Sequence, residues 1–389
     1  MTTIPMNIGI AGAGLLGRLL AWRLARQGHR VAVFDPAAGP GQVLRSCAPE
    51  PYLPTAAAFT AAGLLSPLAE LDNAAPAVAA LGWRSLALWP GIIGQLPHAP
   101  FFAARGSLLV AHRADTGAAQ RVLDRLRAAT ATPEWRAVSP AEGVQPLDAG
   151  ALKALEPAVQ GPPHAWFLPG EGQIDTGAAM MGLHSAAQGV QWHWRQTVLA
   201  VEAGERGGTL ALADGRLLPF DAVIDVRGVG ARPAIDLRGE NQKKHASPVF
   251  NVRGVRGEVI KLHVPGGHGL TRPVRLLHPR HAVYIVPRPD DLMYIGASEI
   301  ESEDRSPASL RSVIELLAAA HSAVPALAEA RILALDVNLR PALPDNDPCT
   351  EHAPRLLRIN GLYRHGWLLA PALIDQALRE NGWVEGGLG

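Results

Sequence analysis

The chain has 389 residues, more than one hydrophobic core usually serves, so two domains or one elaborated domain are expected. Hydrophobic residues make up 48% and charged residues 18% of the sequence, which excludes a disordered chain. With 36 Lys and Arg against 35 Asp and Glu, no net charge would attract nucleic acid or an anionic membrane.

Cysteine content and the N-terminal sequence bear on the compartment. Cys47 and Cys349 are too few for a disulfide framework or a CxxC site, and they predict free thiols in a reducing environment. No basic residue precedes Arg18, so the apolar start lacks the basic region of a signal peptide. No uninterrupted apolar stretch of about 18 residues predicts a membrane span. A cytoplasmic location is therefore expected.

Residues 8–35 predict a strand, a glycine turn, a helix and a second strand. The turn has the spacing G-x-G-x-x-G and contains Gly12, Gly14 and Gly17. These glycines would permit a tight turn, a close approach of backbone to a pyrophosphate, and packing of helix on strand, respectively. Asp35 ends the second strand, where a carboxylate can accept hydrogen bonds from ribose hydroxyls. The motif predicts a dinucleotide, FAD or NAD rather than NADP.

The helix after this turn has leucines at helical spacing from Leu15 to Leu24. Arg18, Arg23 and Arg26 are expected on its solvent face. Its first N–H groups would face the phosphates, and Gly28 would end it.

Later elements follow from periodicity and turn residues. A loop is expected at residues 36–58 and a turn-rich segment at 156–176. Helices are predicted at residues 77–89, 116–128 and 177–188, from a Ser306-Pro307 cap to about 320, and at the C-terminal end of 356–380. Strands are predicted at residues 106–113, 197–204, 209–219 (a hairpin turning at Asp214-Gly215), 221–228, 257–264, 281–288, 291–298, 331–341 and the start of 356–380.

This order predicts an α/β fold, α+β overall. A Rossmann-like nucleotide-binding domain would be interleaved with a substrate domain built on a mixed, largely antiparallel sheet. The expected boundaries are 1–80, 152–232 and 335–389 for the first domain, and 81–151 and 233–334 for the second.

Five separated stretches resemble the D-amino acid oxidase superfamily of flavoenzymes, and within it the glycine oxidases of the thiamine pathway. They are "GIAGAGLLGRLLAWRLARQGHRVAVFD", "TAAGLLSP", "VYIVPRPDDLMYIGASEIES", "NLRPALPDNDP" and "LYRHGWLLAPALIDQAL". The resemblance runs in the same order from Ile8 to about Leu378. It implies FAD in the first domain, bound non-covalently because Cys349 does not match the cysteine that links flavin in related sarcosine oxidases.

The resemblance also implies the residues that bind FAD. Those around the nucleotide are Gly12, Gly14, Leu15, Leu16, Gly17, Asp35, the pair Val198 and Leu199, and Gly228. Those beside the flavin ring are Thr60, Ala61, Ala62, Gly63 and Leu64, with Gly366, Trp367, Leu368 and Leu369 at its pyrimidine end.

Three residues are implied in substrate binding. Arg340, in "NLRP", would pair with the substrate carboxylate through two parallel N–H donors. Tyr284 would assist it, and Arg364 would be a second active-site arginine. Strand alternation puts Tyr284 and Val286 on one face, and Val283 and Ile285 on the other. Without the resemblance, these three residues would be read as a surface arginine, a core aromatic residue and a loop charge.

Two departures from the family pattern leave the substrate open. "DVRGVGAR" replaces a Gly-Ala-Trp-like run and would place Arg227 and Arg232 near the nucleotide. "ALPDNDPCTE" lacks the final Ile-Gly usual after "RP".

The implied activity is FAD-dependent oxidation of glycine, or a similar small amino acid, to the imine. Dioxygen would be reduced to hydrogen peroxide, and the imine would serve thiazole synthesis. Alternatives are a D-amino acid dehydrogenase or sarcosine-type oxidase with another acceptor, a tRNA-modifying oxidase, and a non-catalytic nucleotide-binding subunit. Balanced charge disfavours the tRNA enzyme, and the presence of Arg340 and Tyr284 disfavours the last.

The expected partners are a small amino acid and dioxygen, without nucleic acid. A homo-oligomer is one of the states the sequence leaves open. No metal site is expected, because His278 and His281 lack acidic partners at metal-ligand spacing.

Overall fold

A computed structural model describes residues 4–42, 55–133, 135, 143–232, 250–277 and 282–387 of the protein. The strands in these ranges are β1 (Asn7–Ala11), β2 (Arg30–Asp35), β3 (Leu64–Leu65), β4 (Phe102–Ala103), β5 (Ser107–Ala111), β6 (Gln145–Leu147), β7 (His164–Leu168), β8 (Gly172–Ile174), β9 (Gln191–Trp194), β10 (Val198–Gly204), β11 (Gly207–Leu212), β12 (Leu217–Phe220), β13 (Ala222–Asp225), β14 (Arg253–His263), β15 (Val274–Leu277), β16 (Ala282–Pro287), β17 (Leu292–Gly296), β18 (Arg331–Ala342), β19 (Cys349–Ala353) and β20 (Leu356–Asn360).

The α-helices whose bounds fall within the described residues are α1 (Leu15–Arg26), α2 (Ala57–Thr60), α3 (Pro67–Glu70), α4 (Pro76–Ile93), α5 (Thr116–Thr130), α6 (Ala149–Leu155), α7 (Thr176–Ala186), α8 (Leu310–Ala323) and α9 (Gly366–Glu380). None of the helices in the described ranges combines the length and apolar character that crossing a bilayer requires.

The first sheet has the strand order β19-β20-β13-β1-β2-β9 and is parallel except for β19. The β1-α1-β2 unit at its centre confirms the predicted strand, helix and second strand. Ile8 and Ile10 are fully buried between the layers. β9 was not predicted, because Gln191–Trp194 is short and half polar, and only its pairing beside β2 makes it a strand.

The second sheet has the order β18-β14-β17-β16-β15-β5-β7-β6 and is antiparallel except where β15 pairs with β5. This confirms the mixed, largely antiparallel sheet and the predicted hairpin of β16 and β17. Two three-stranded sheets, β10-β11-β12 and β3-β8-β4, complete the fold. The chain passes between the two large sheets several times, while the predicted domain boundaries stay a prediction.

Separate hydrophobic clusters stabilise the two parts. The larger packs α1, α4 and α9 on the first sheet, with Trp22 and Trp89 almost completely buried. The other packs α8 against the second sheet around Leu316 and Ala320. Burial of large apolar side chains contributes roughly 1.5–3 kcal/mol each, so each sheet is stabilised by the helices packed on it.

Arg18 contradicts its predicted exposure, since it is only 1% exposed. Its guanidinium donates hydrogen bonds to the carbonyl oxygens of Ala13 (2.9 Å), Met180 (2.7 Å) and Pro40 (2.6 Å). Burial lowers the pKa of Arg18 to about 10, and the three hydrogen bonds offset part of the free-energy cost of burying the charge. Helical periodicity could not reveal this because the acceptors lie on other elements.

Two other predictions need correction. The helix predicted from Ser306-Pro307 begins at Leu310, with Ser309 as its N-cap, whose hydroxyl accepts from the N–H of Ser312 at 3.1 Å. The carbonyls of Ser306 and Pro307 instead accept from the Arg256 guanidinium, at 2.9 and 2.8 Å. The turn-rich segment 156–176 also contains β7 and β8, which are recognisable only from their pairing with distant strands.

Candidate active site

A cavity of about 1080 Å³ lies between the carboxyl ends of the parallel strands and the facing side of the antiparallel sheet. Residues after β1, β2 and β13 line one part, and residues of β14, β16 and β18 line another. Ligands of open parallel sheets bind beyond the carboxyl ends of the strands, where the loops diverge. The cavity is therefore the candidate site.

The predicted glycine turn lies at the nucleotide part of this cavity. Gly12 has φ +106°, and a Cβ there would lie 2.7 Å from the Val226 carbonyl oxygen. Gly14 is the N-cap of α1, and the first turn contains no acidic residue. The N–H groups of Leu15 and Leu16 find no acceptor among the described residues. Such a helix end favours an anion.

Gly17 does not line the cavity in the described structure. A Cβ at this position would lie 1.9 Å from the Gly12 carbonyl oxygen, so glycine is needed for α1 to pack on the turn. Gly17 therefore has the predicted role in helix packing. The expectation that it contacts the nucleotide directly does not agree with its position outside the cavity lining.

Asp35 lines the cavity at the end of β2. Its carboxylate accepts hydrogen bonds from the N–H groups of Ala13 (2.7 Å) and Ala37 (2.8 Å). Burial raises the pKa of Asp35, and these two hydrogen bonds oppose the rise. Each oxygen keeps a second lone pair for a ligand hydroxyl, as the sequence predicts for ribose.

Thr60, Ala61, Ala62, Gly63 and Leu64 all line the middle of the cavity. Gly63 has φ +71°, and a Cβ there would lie 2.0 Å from the Ile174 carbonyl oxygen. Arg288, which the sequence did not single out, holds this segment from behind. Its guanidinium donates to the Ala62 carbonyl and, at 2.7 Å, to that of Ile174. Burial lowers the pKa of Arg288 to about 10.

Gly366, Trp367 and Leu368 line the cavity at the start of α9. Their N–H groups have no acceptor among the described residues, and the first turn has no acidic side chain. Leu369 contradicts the expectation, because it is completely buried in the core and faces away from the cavity. One residue of helix rotates a side chain by about 100°, which separates Leu369 from Leu368.

The remaining nucleotide residues divide in the same way. Val198 and Gly228 line the cavity, whereas the Leu199 side chain is exposed outside it. Arg227 also lines it, and its guanidinium pairs with Asp225 at 2.7 Å. Arg232, which was also predicted near the nucleotide, does not line the cavity. Its guanidinium pairs with Glu303 instead.

Arg340 projects from β18 into the other part of the cavity. Its Nη1 and Nη2 atoms both donate to the Ser298 carbonyl oxygen at 3.1 Å. No carboxylate lies within ion-pair distance of it among the described residues. On β14, a Cβ at Gly257 would lie 2.5 Å from the guanidinium, so glycine makes room for it.

Tyr284 lines the cavity near Arg340, while Val283 and Ile285 are buried in the core behind the sheet. This confirms the predicted alternation. Tyr284 pairs with Gly296 on the neighbouring strand β17. A Cβ added at Gly296 would lie 2.7 Å from the Tyr284 hydroxyl oxygen, so glycine leaves room for the ring. Burial raises the pKa of the Tyr284 hydroxyl despite the neighbouring arginines, so it is a neutral donor at ordinary pH.

Arg364 lines the cavity but is already paired with two carboxylates. It donates to Glu70 Oε2 at 3.1 Å and to Glu299 Oε2 at 3.3 Å. Its position agrees with the prediction, but its surroundings differ from those of Arg340. A second carboxylate ligand would compete with these partners.

Glu70, which the sequence did not indicate, is the centre of this charged cluster. It also accepts from Arg275 at 3.0 Å and from His365 Nε2 at 2.9 Å. Burial alone would raise the pKa of Glu70, but the charges of Arg275, His365 and Arg364 hold it well below its usual value. Its partners lie more than 200 positions away, so no local pattern could reveal it.

Asn338 is another lining residue that was missed, and a sequence signal existed for it. It lies two positions before Arg340, on the same face of β18, and donates to Thr60 Oγ1 at 3.2 Å. Alternation from Arg340 would have found it.

The donor set fits FAD. The two uncapped helix ends, at α1 and α9, both open on the cavity, and each offers N–H groups to an anionic part of the cofactor. His278, His281 and Cys47 lie outside the described residues, and Cys349 is a free thiol.

Comparisons with known proteins agree over nearly the whole chain. The family model DAO, FAD dependent oxidoreductase, matches residues 7–375. A Rhizobium etli protein named a thiamine biosynthesis oxidoreductase, ThiO, is 34% identical over 96% of each chain. A glycine oxidase of Geobacillus kaustophilus is 26% identical over 94% of this chain and 90% of that one.

Two crystal structures share the fold. A glycine oxidase from Geobacillus kaustophilus has a TM-score of 0.75 at 24% identity, and an iminodiacetate oxidase from Chelativorans has 0.76 at 24%; both alignments cover 97% of this chain and 95% of the other. With the nucleotide turn, the uncapped helix ends and the family match in agreement, the chain belongs to the DAO family of FAD-dependent oxidoreductases and is of the ThiO and glycine oxidase type.

Proposed function

We propose that the protein oxidises glycine, or a similar small amino acid, to the imine and passes the electrons to dioxygen, forming hydrogen peroxide. The observation that carries this proposal is Arg340, a cavity-lining guanidinium that has no carboxylate partner in the described structure and lies near the Tyr284 hydroxyl. The names of the relatives support glycine as substrate and thiamine (thiazole) synthesis as the purpose.

FAD, when bound, supplies the two-electron oxidation, and the protein supplies position and electrostatics. Gly12, Gly14, Leu15, Leu16 and Asp35 would hold the ADP portion. The cavity-lining residues from Thr60 to Leu64, together with Gly366, Trp367 and Leu368, would hold the flavin portion. The positive end of α9 would stabilise negative charge there. We propose that no covalent bond is needed.

Arg340 would bind the substrate carboxylate through two parallel N–H donors. Tyr284, whose hydroxyl is kept protonated by burial, would donate a further hydrogen bond to the same carboxylate. Ser298 O, which holds the guanidinium at 3.1 Å, would limit its rotation and thereby orient the bound amino acid. Substrate entering as the free amine would need no side-chain base.

The first test is anaerobic addition of glycine to the yellow FAD-loaded protein. We expect the visible flavin absorbance to fall, and readmitted oxygen to restore it with release of hydrogen peroxide. Sarcosine and small D-amino acids would be compared under the same conditions. Protein that stays colourless after reconstitution with FAD, or that no amino acid bleaches, would contradict the proposal. Bleaching followed by dye reduction without peroxide would replace dioxygen by another acceptor.

A further inference from the structure

The arginines that line the cavity differ in whether they already form an ion pair with a carboxylate of the protein. In the described part of the chain, Arg275 pairs with Glu70 at 3.0 Å, and Arg364 pairs with both Glu70 and Glu299. Arg227 pairs with Asp225, and the charge of Arg305 interacts with that of Glu303. Arg340 is held only by backbone carbonyls. The site therefore offers an unpaired guanidinium at Arg340 and a compensated one at Arg364.

Glu299 differs from Glu70 in its exposure. The Glu70 side chain is 10% exposed, whereas that of Glu299 is 50% exposed, although both line the cavity. Glu299 thus lies on the solvent side of Arg364. It is also the residue after Ser298, whose carbonyl holds Arg340. The charges of Glu299 and Arg340 both act on the cavity-lining Tyr363 hydroxyl, so the two groups share one part of the cavity.

Arg364 orients the Glu299 carboxylate, since Arg364 Nη1 donates to it at 3.3 Å. The Tyr363 hydroxyl lies nearby, and burial together with the Glu299 carboxylate raises its pKa. A ligand with one carboxylate would neutralise Arg340 without meeting this charge. A second carboxylate directed at Arg364 would meet Glu299 already in place, and like charges brought together at a partly dry site repel strongly.

We infer that Glu299 is a specificity-determining residue that excludes substrates with a second carboxylate by occupying Arg364. This inference rests on the proposed amino acid oxidation at the same site. Glu299 selects for small monocarboxylate amines, while Arg340 binds the carboxylate that all substrates share.

The test compares the FAD-loaded wild type with Glu299→Gln, which keeps an acceptor for Arg364 but removes the charge. Acetate and malonate are titrated against the visible flavin spectrum to obtain their Kd values. We expect the ratio of malonate Kd to acetate Kd to fall by about tenfold or more in Glu299→Gln. The ratio of kcat/KM for iminodiacetate to that for glycine should rise by a similar factor.

Glu301→Gln is the matched control. Glu301 is two residues away, is 66% exposed and pairs with Arg253 outside the cavity. Its removal changes the net charge equally, and both ratios should stay at the wild-type value. Glu299→Ala serves as a second variant, because loss of a half-exposed side chain leaves no buried void.

Unchanged ratios in folded, FAD-loaded Glu299 variants would overturn the inference, as would equal shifts in Glu301→Gln. The two carboxylate titrations do not need turnover. If the wild type oxidises no amino acid, the proposed function fails, while the binding ratios still decide the role of Glu299.

Discussion

At the residue scale, identical side chains acquire different roles from the charges beside them. Arg340 and Arg364 both line the cavity, but only Arg364 is paired with carboxylates in the described structure. Arg340 is half-buried, and a partly desolvated guanidinium without an acid is costly unless a ligand supplies the anion. This difference makes Arg340 the better candidate for the substrate carboxylate and gives Arg364 a supporting place.

Arg340→Lys should raise KM for glycine by about tenfold or more, because an ammonium replaces a two-donor guanidinium with a single point charge. FAD content should stay at the wild-type level, since Arg340 lies at the substrate part of the cavity. Steady-state kinetics and the flavin-to-protein ratio measure both effects. Arg331→Lys, on the same strand but exposed, is the control. Unchanged kinetics in Arg340→Lys would remove this residue from the site.

At the element scale, two strands create the substrate pocket through their glycines rather than through their functional groups. Gly257 on β14 and Gly296 on β17 leave the space that Arg340 and Tyr284 occupy. Neither glycine has a positive φ, so backbone conformation does not require glycine at either position. The requirement is steric, and it follows from the register of the sheet, in which Tyr284 pairs with Gly296.

Gly257→Ala should displace the Arg340 guanidinium, because the added Cβ would lie 2.5 Å from it. We expect KM for glycine to rise by about tenfold, with a smaller change in the melting temperature than a core cavity would cause. Kinetics and thermal denaturation of the FAD-loaded protein test this. Gly204→Ala, at a strand glycine with open space around it, should have no effect on KM. Equal KM values for both variants would contradict the steric role.

At the scale of the whole molecule, Glu70 ties the two large sheets together. It is the last residue of α3, and its partners are Arg275 on β15 of the antiparallel sheet and Arg364 and His365 before α9. The cavity is thus closed on this side by charge as well as by apolar packing. Removing one member of such a buried cluster leaves uncompensated charges in a dry site.

Glu70→Gln should lower the free energy of unfolding at pH 7 by about 3–5 kcal/mol. Because the folded-state pKa of Glu70 lies well below its usual value of 4.5, its contribution is complete above that pH and is lost as the pH falls towards the folded pKa. Denaturant unfolding of wild type and variant at several pH values measures this. Asp72→Asn, which removes an exposed pairing with Arg125, should cost at most about 1 kcal/mol. A difference that does not shrink in acid would contradict the assignment.

The sequence by itself determined the elements whose contacts are local. The turn of Gly12, Gly14 and Gly17, the helix after it and Asp35 all lie within one β-α-β unit, so spacing and periodicity specify them. The alternation around Tyr284 is likewise a property of a single strand. The resemblance added Arg340 and Arg364, which the structure places on the same cavity.

Only the tertiary structure decided which side chains meet. Arg18 is buried because carbonyl oxygens of other segments accept hydrogen bonds from its guanidinium. Leu369 does not line the cavity because its position on α9 directs the side chain into the core. Glu70 reaches Arg364 across 294 positions of the chain. Burial and charge pairing depend on distances between residues remote in sequence, and these distances exist only once both sheets have packed around the cavity.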